Sequence, residues 1–427
     1  MSVLPAGGGI AVPCRPMSRR GLLALFLLLA SCKRTEPAAS AVPDAGAGEV
    51  RPAASSVRDA GSAAQAVGSA PDASVAEVHP LAVCDARGGS PLNAARNYYD
   101  GGQYEEALSC AAQAAALDPD LAAAHAERGV ALAALGRESE AQLAFARALA
   151  IDPGDAESLL GAARLYAVQM ESTRERDELG VLYAERGLSQ PSTPPELIPE
   201  LALVAAMAFN DLGQADEALA RAAIVLAREP GNHEAQYERA LALFELCRFA
   251  EARKAFGALL DDPERAAHVH QHLGLLLERE GKWKLAQGHF DKARELSPED
   301  FPEPPLPSQE DFRAAVAQAV AGLSSDMRRD LKGVPVDTEE LPSDADLLAN
   351  QPPLSPTILG LFRGPSLSEP CDGKETPCRS VVLYRRNLAR AVRTSDELRE
   401  QIRVTLLHEV GHLRGEDDEE LAARGLE

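Results

Sequence analysis

The chain has 427 residues, of which 4% are aromatic and 25% charged, and its formal net charge is −22. That length admits two or three domains with cores of their own, and the alanine-rich, aromatic-poor composition suits packed helices better than large sheets. The acidity excludes a nucleic-acid binder, which needs a basic footprint for the phosphate backbone.

The first 32 residues read as an address rather than as structure. Ser18, Arg19 and Arg20 form a positive n-region, and residues 21–30 are an apolar run too short to span a bilayer comfortably. Met17 is the expected start of translation, since residues 1–16 add nothing a signal requires. The run ends in Leu29-Ala30-Ser31-Cys32, which resembles the lipobox of bacterial lipoproteins. The resemblance implies acylation of Cys32, a lipid anchor and an extracytoplasmic place in a bacterial cell envelope, with Sec and twin-arginine export both open. Residues 33–85 are Ala, Pro, Ser, Gly and Asp without periodicity, and they predict a disordered tether. Beyond the leader stand Cys84, Cys110, Cys247, Cys371 and Cys378. Cys371 and Cys378 are close enough in sequence to bridge a loop in an oxidising compartment, and the odd count leaves a free thiol.

Over residues 86–300 the chain repeats itself. Asp118-Pro119 recurs as Asp152-Pro153, and Gly129, Ala141, Phe145, Ala148 and Pro153 are matched by Gly274, Ala286, Phe290, Ala293 and Pro298. Small residues let two antiparallel helices approach, Phe fills the space between them, and Pro ends the second helix. The pattern resembles the tetratricopeptide repeat in roughly six units of ~34 residues, with an insertion at 170–193. The resemblance implies an α-solenoid whose groove holds a protein or peptide. Trp283, at a repeat turn, is read as packing. His268, His270 and His272 suggest a metal only weakly, because no carboxylate or cysteine completes a set.

The proline-rich 301–307 marks a linker, and residues 308–427 read as a small α+β domain. A helix is predicted over 308–323, with Phe312, Val316, Ala319 and Val320 on one side. Strands are predicted at 334–336, 357–362 and 380–384, and a second long helix at 396–413, capped by Ser395.

That last helix contains His408-Glu409-Val410-Gly411-His412, followed by Gly415 and Asp418. Histidines four apart share a helix face and can point at one ion, and neutral imidazole suits Zn²⁺. Glu409 adjoins the first ligand and can act as general base toward a water at the open position. Gly415 lets the chain turn back, which brings Asp418 to the metal as third ligand. Metzincins carry His at this offset. The arrangement instead resembles the short bacterial minimal-zincin metallopeptidases, whose motif is HExxHxxGxxD. The resemblance starts near Pro307 and implies one Zn²⁺ per chain, held by His408, His412 and Asp418, with Glu409 as base. Tyr384 and Arg385, after the strand nearest the motif, are the candidates for transition-state stabilisation. The cysteine pair at 371 and 378 departs from that family's pattern.

These features describe a membrane-anchored zinc peptidase with a protein-binding repeat array. The alternative is an assembly lipoprotein that works through its repeats and carries a structural or weakly active zinc domain.

Overall fold

The computed structural model describes residues 83–86, 89–371 and 377–426. The leader with Cys32, and the tether apart from residues 83–85, lie outside the described residues.

Six antiparallel helix pairs follow one another: α1 (Pro91–Asp100) with α2 (Tyr104–Leu117), α3 (Ala122–Ala134) with α4 (Glu138–Ile151), α5 (Ala156–Arg164) with α6 (Arg174–Ser189), α7 (Leu197–Asp211) with α8 (Ala215–Arg228), α9 (His233–Glu245) with α10 (Phe249–Gly257), and α11 (Ala266–Arg279) with α12 (Trp283–Leu296). The spacing of small and large residues explains the pairing. A β-carbon at Gly129 would stand 2.8 Å from the Phe145 ring, and one at Gly274 would stand 2.5 Å from Phe290. Such approaches are open only to glycine. The irregular third unit is more helical than expected: α5 continues through a π-helical turn, Leu165–Gln169, and most of the stretch read as an insertion is α6.

The turns inside the second, fourth and sixth pairs use left-handed glycines, Gly136, Gly213 and Gly281. The fifth pair places Cys247 there, at φ 56, a conformation that costs a residue with a side chain of order 1 kcal/mol. Its thiol side reaches the C-terminal region, where Cys247 and Phe249 pack against Leu347, Leu354, Ile358, Val382 and Tyr384. Two disulfides are formed, Cys84–Cys110 and Cys371–Cys378, and Cys247 is the free cysteine among the described residues.

Beyond the linker come α13 (Gln309–Gly322), α14 (Ser325–Asp330), β1 (Val336–Glu339), α15 (Asp344–Leu347), β2 (Gly360–Arg363), β3 (Ser380–Tyr384), α16 (Arg385–Arg390), α17 (Ser395–Arg414) and α18 (Asp418–Ala422). The strands form one sheet in the order β1-β3-β2. β1 runs parallel to β3 with Val336 beside Val381, and β2 runs antiparallel with Gly360 beside Leu383. Two strand expectations are corrected. The first strand lies later than 334–336, because Pro335 has no N–H for a ladder, although its carbonyl accepts from Val381 N. The second is shorter than 357–362, since Thr357 bonds locally to Ser355. The long helix is capped by Thr394 rather than Ser395, in a capping box with Glu397.

β3 is buried along its whole length, and its alternation serves two cores. Val381 and Leu383 join Phe312 and Val316 of α13 and Ile402, Leu406 and Val410 of α17, whereas Val382 and Tyr384 face the repeat side.

Candidate metal centre

The apolar stripe of α17, made of Leu398, Ile402, Leu406, Val410 and Leu413, is buried in the domain core. Burying that stripe fixes the rotation of the helix, and packing against the sheet and α18 covers His408 and Glu409, 3% and 2% exposed. The helix ends at Gly415, whose φ of 94 turns the chain back. Asp417 caps the short α18 by accepting from Glu420 N, so Asp418 begins the returning helix. α18 is held close by Leu421, because a β-carbon at Gly411 would lie 2.3 Å from its Cδ2.

This path delivers the Asp418 carboxylate to the histidine pair. His408 Nε2 and His412 Nε2 are 2.9 Å apart, and Asp418 Oδ1 is 3.2 Å from His412 Nε2 and 3.6 Å from His408 Nε2. Each imidazole faces a main-chain carbonyl with its other nitrogen: His408 Nδ1 lies 2.6 Å from Leu426 O, and His412 Nδ1 3.0 Å from Glu416 O. A carbonyl only accepts, so each neutral ring carries its proton on Nδ1 and presents an Nε2 lone pair. Two lone pairs and a carboxylate oxygen therefore converge with no proton between them, and Asp418 Oδ1 is buried without a hydrogen-bond donor. That donor set fits a divalent cation of zinc type, with the outer carbonyls orienting both rings. Among the described residues, His408, His412 and Asp418 are the group whose ligand atoms gather this way, all within 4.8 Å. Neighbouring acids are spent elsewhere: Asp417 on its cap and Glu416 on Arg424.

The charges follow from the same placement. Burial would raise the Asp418 carboxyl, but with no cation bound a second proton taken up on Nε2 of His408 or His412 would bond to it, and this holds the carboxyl at about 2. Burial would lower His412, yet the Asp418 carboxylate beside its Nε2 favours a second proton there and, with no cation bound, lifts it above the ordinary histidine value. Glu409 is pushed upward by burial, against the pull of the two imidazoles and a main-chain bond from Phe362.

Tyr384 and Arg385, the transition-state candidates, stand in contacts of their own. Tyr384 lies in the core shared with Leu347 and Leu354, its buried hydroxyl has no hydrogen-bond partner, and burial raises it, with the Glu409 carboxylate among the charges that add to this. Arg385 binds Glu340 at 2.6 Å and the Pro307 carbonyl. Burial would raise the Glu340 carboxyl, but Arg385 and Gln309 hold it at about 2. The weak metal suggestion in α11 also dissolves. His272 is buried and stacks on Phe256 at 4.7 Å, His268 meets Phe301, and His270 faces His289. Trp283 does pack, but across the chain: it is 46% exposed and Arg386 lies 4.5 Å over its ring.

Four participants were not found from the sequence, the Glu416 carbonyl at His412 Nδ1 among them. Gly360 of β2 lies against Glu409, and a lone glycine in a strand pattern was a usable sign of close approach. The Phe362 amide and the Leu426 carbonyl are main-chain groups, for which no side-chain pattern exists.

Residues 331–426 match the family model described as zincin-like metallopeptidase. Residues 95–136 match a TPR repeat model, and 203–256 and 245–301 match a tetratricopeptide repeat model. The chain joins tetratricopeptide repeats to a C-terminal zincin-like domain. Comparison with curated proteins gives no match. Among solved structures, the chain is similar to YrrB, titled a TPR protein with an unusual peptide-binding site, at 17% identity, TM-score 0.38, covering 45% of this chain and 94% of that one. It is also similar to PilW, titled a widely conserved type IV pilus biogenesis factor, at 20% identity, TM-score 0.41, covering 48% and 91%. A third is Pseudomonas aeruginosa pilF, at 17% identity, TM-score 0.42, covering 52% and 95%.

Proposed function

We propose that the protein is a zinc-dependent peptidase of the bacterial cell envelope, lipid-anchored through Cys32, whose repeats bind a protein or peptide. The observation that carries the chemistry is the convergence of two Nε2 lone pairs and a donor-less carboxylate oxygen beside a buried glutamate. Zn²⁺ held by His408, His412 and Asp418 would supply Lewis acidity toward a peptide carbonyl and toward water. The remaining work belongs to the chain. Leu426 O and Glu416 O keep both rings turned with Nε2 inward. Glu409, steadied by the Phe362 amide, accepts a proton from the attacking water and returns it to the departing amine nitrogen. The anchor is supported by Leu29-Ala30-Ser31-Cys32. Among the described residues no helix is long and apolar enough to cross a membrane.

Two substitutions test the roles. Glu409→Gln keeps size and reach but cannot take a proton. It is expected to retain about one zinc per chain, all three ligands being intact, and to lose hydrolysis on the order of 10²–10⁴-fold on an unfolded casein-type substrate. Asp418→Ala removes a ligand, so zinc content and hydrolysis should fall together. Hydrolysis by Glu409→Gln at the wild-type rate would end the peptidase mechanism.

A further inference from the structure

Glu278 belongs to α11 of the last repeat, yet its partners belong to the zincin-like domain. It is 2% exposed. Its Oε1 accepts from Arg386 at 2.7 Å, and its Oε2 pairs with Arg390. Each arginine also lies over an aromatic ring of α12, Arg386 over Trp283 at 4.5 Å and Arg390 over Phe290 at 4.9 Å. A carboxylate buried so deeply is tolerated only because two guanidiniums meet it, and removing it would strand both. Next to this contact, Arg279 binds Asp344 at 2.6 Å and the Pro342 carbonyl at 3.2 Å.

Both arginines stand on α16, which follows β3 without a loop. The other side chains of this short helix reach the metal centre's supports. Asn387 Nδ2 donates to Pro356 O at 3.1 Å and Ile358 O at 2.8 Å, holding the segment that leads into β2. Leu388 is fully buried in the core with Ile402 and Leu406 of α17. One helix therefore ties the repeat array to the strand that carries Gly360 and to the helix that carries His408 and Glu409.

We infer that Glu278 is a positioning residue for the metal centre: by clamping Arg386 and Arg390 it sets α16, and through Asn387 and Leu388 it sets β2 and α17 beneath His408, His412 and Glu409. The inference rests on the proposed zinc reading of that centre. The last repeat then acts as a wall of the zincin-like domain.

The full chain tests this by zinc affinity, measured in competition with a chelator, and by amide exchange at Gly360–Arg363 in the zinc-free protein. Glu278→Ala is expected to weaken zinc binding about tenfold, the scale of losing an outer support of a metal ligand, and to speed exchange in β2. Glu278→Asp, which keeps the charge, should recover most of the affinity. Arg221→Ala, which breaks the Arg221–Glu185 pair elsewhere in the repeats, should lower the melting temperature without moving zinc affinity. Should Glu278→Ala not fold, Trp283→Ala, at the half-exposed outer side of Arg386, should show a smaller loss in the same direction. Wild-type zinc affinity together with wild-type β2 exchange in the folded variant overturns the inference. A wild-type protein that binds no zinc would overturn the proposed function instead, and β2 exchange would still decide the role of Glu278.

Discussion

A β-carbon at Gly360 would lie 2.7 Å from Thr405 Cγ2 and 2.9 Å from Glu409 Oε1. The strand thus touches the proposed base where only a hydrogen fits, and Gly360→Ala must push the carboxylate aside. The ligands are not touched, so zinc content is expected to stay at the wild-type level. Hydrolysis should fall on the order of 10–100-fold, because displacements of about 1 Å in a catalytic group cost that much. Measuring both on one preparation decides it: activity at the wild-type rate would mean that β2 does not position Glu409. At this scale the meeting of His408, His412 and Asp418 was readable, since the i, i+4 histidines and the Gly415 turn are local geometry. The choice of Asp418 over Asp417 was not forced by spacing alone; it follows from Asp417 being spent on the α18 cap.

Among the elements, α9 carries a buried acid with no full ion pair. Glu238 is 6% exposed, and its Oε2 accepts from Asn210 at 2.7 Å. Burial, only partly offset by that bond, lifts its carboxyl to about 7. A folded value above the unfolded one means a contribution to stability that is fully present below about pH 4.5 and lost as pH rises through about 7. Glu238→Gln should therefore leave thermal stability unchanged near pH 4 and raise it at pH 8, by roughly 1–3 kcal/mol. An equal change at both pH values would show that ionisation is not the cause. The helix pairs themselves were legible, because glycine and phenylalanine at fixed offsets record how closely two helices approach. Strand limits were less so: Pro335 is apolar but has no N–H to give a ladder, and the β-branched Thr357 bonds locally to Ser355.

For the whole molecule, the leader and the tether set the proposed location, and the seam between the repeats and the zincin-like domain sets the mechanics. The proposed leader ends in Cys32, and the Ala- and Pro-rich stretch lies between it and α1, so Cys32→Ser should move the protein from the membrane fraction to the soluble one with its melting temperature unchanged. A wild-type protein that is soluble without detergent, or a variant still found in membranes, would count against the anchor. At the seam, Cys247 in a left-handed turn and Arg386 over Trp283 show side chains of the array committed to the other domain. Repeat spacing could not reveal this, because it describes only what each unit does with its neighbours in the array.

The sequence by itself determined the helix pairs and the gathering of His408, His412 and Asp418, because caps, turns and helical periodicity act across a few residues and leave a pattern in the chain. Only the tertiary structure decided which side of β3 meets the metal centre: Ser380-Val381-Val382-Leu383-Tyr384 is buried on both faces, and a strand without polar alternation carries no record of direction. It also decided that Leu426 O orients His408 and that Glu278 anchors α16. These contacts join main-chain groups or residues far apart in sequence. They arise from how finished elements pack, so no local pattern announces them.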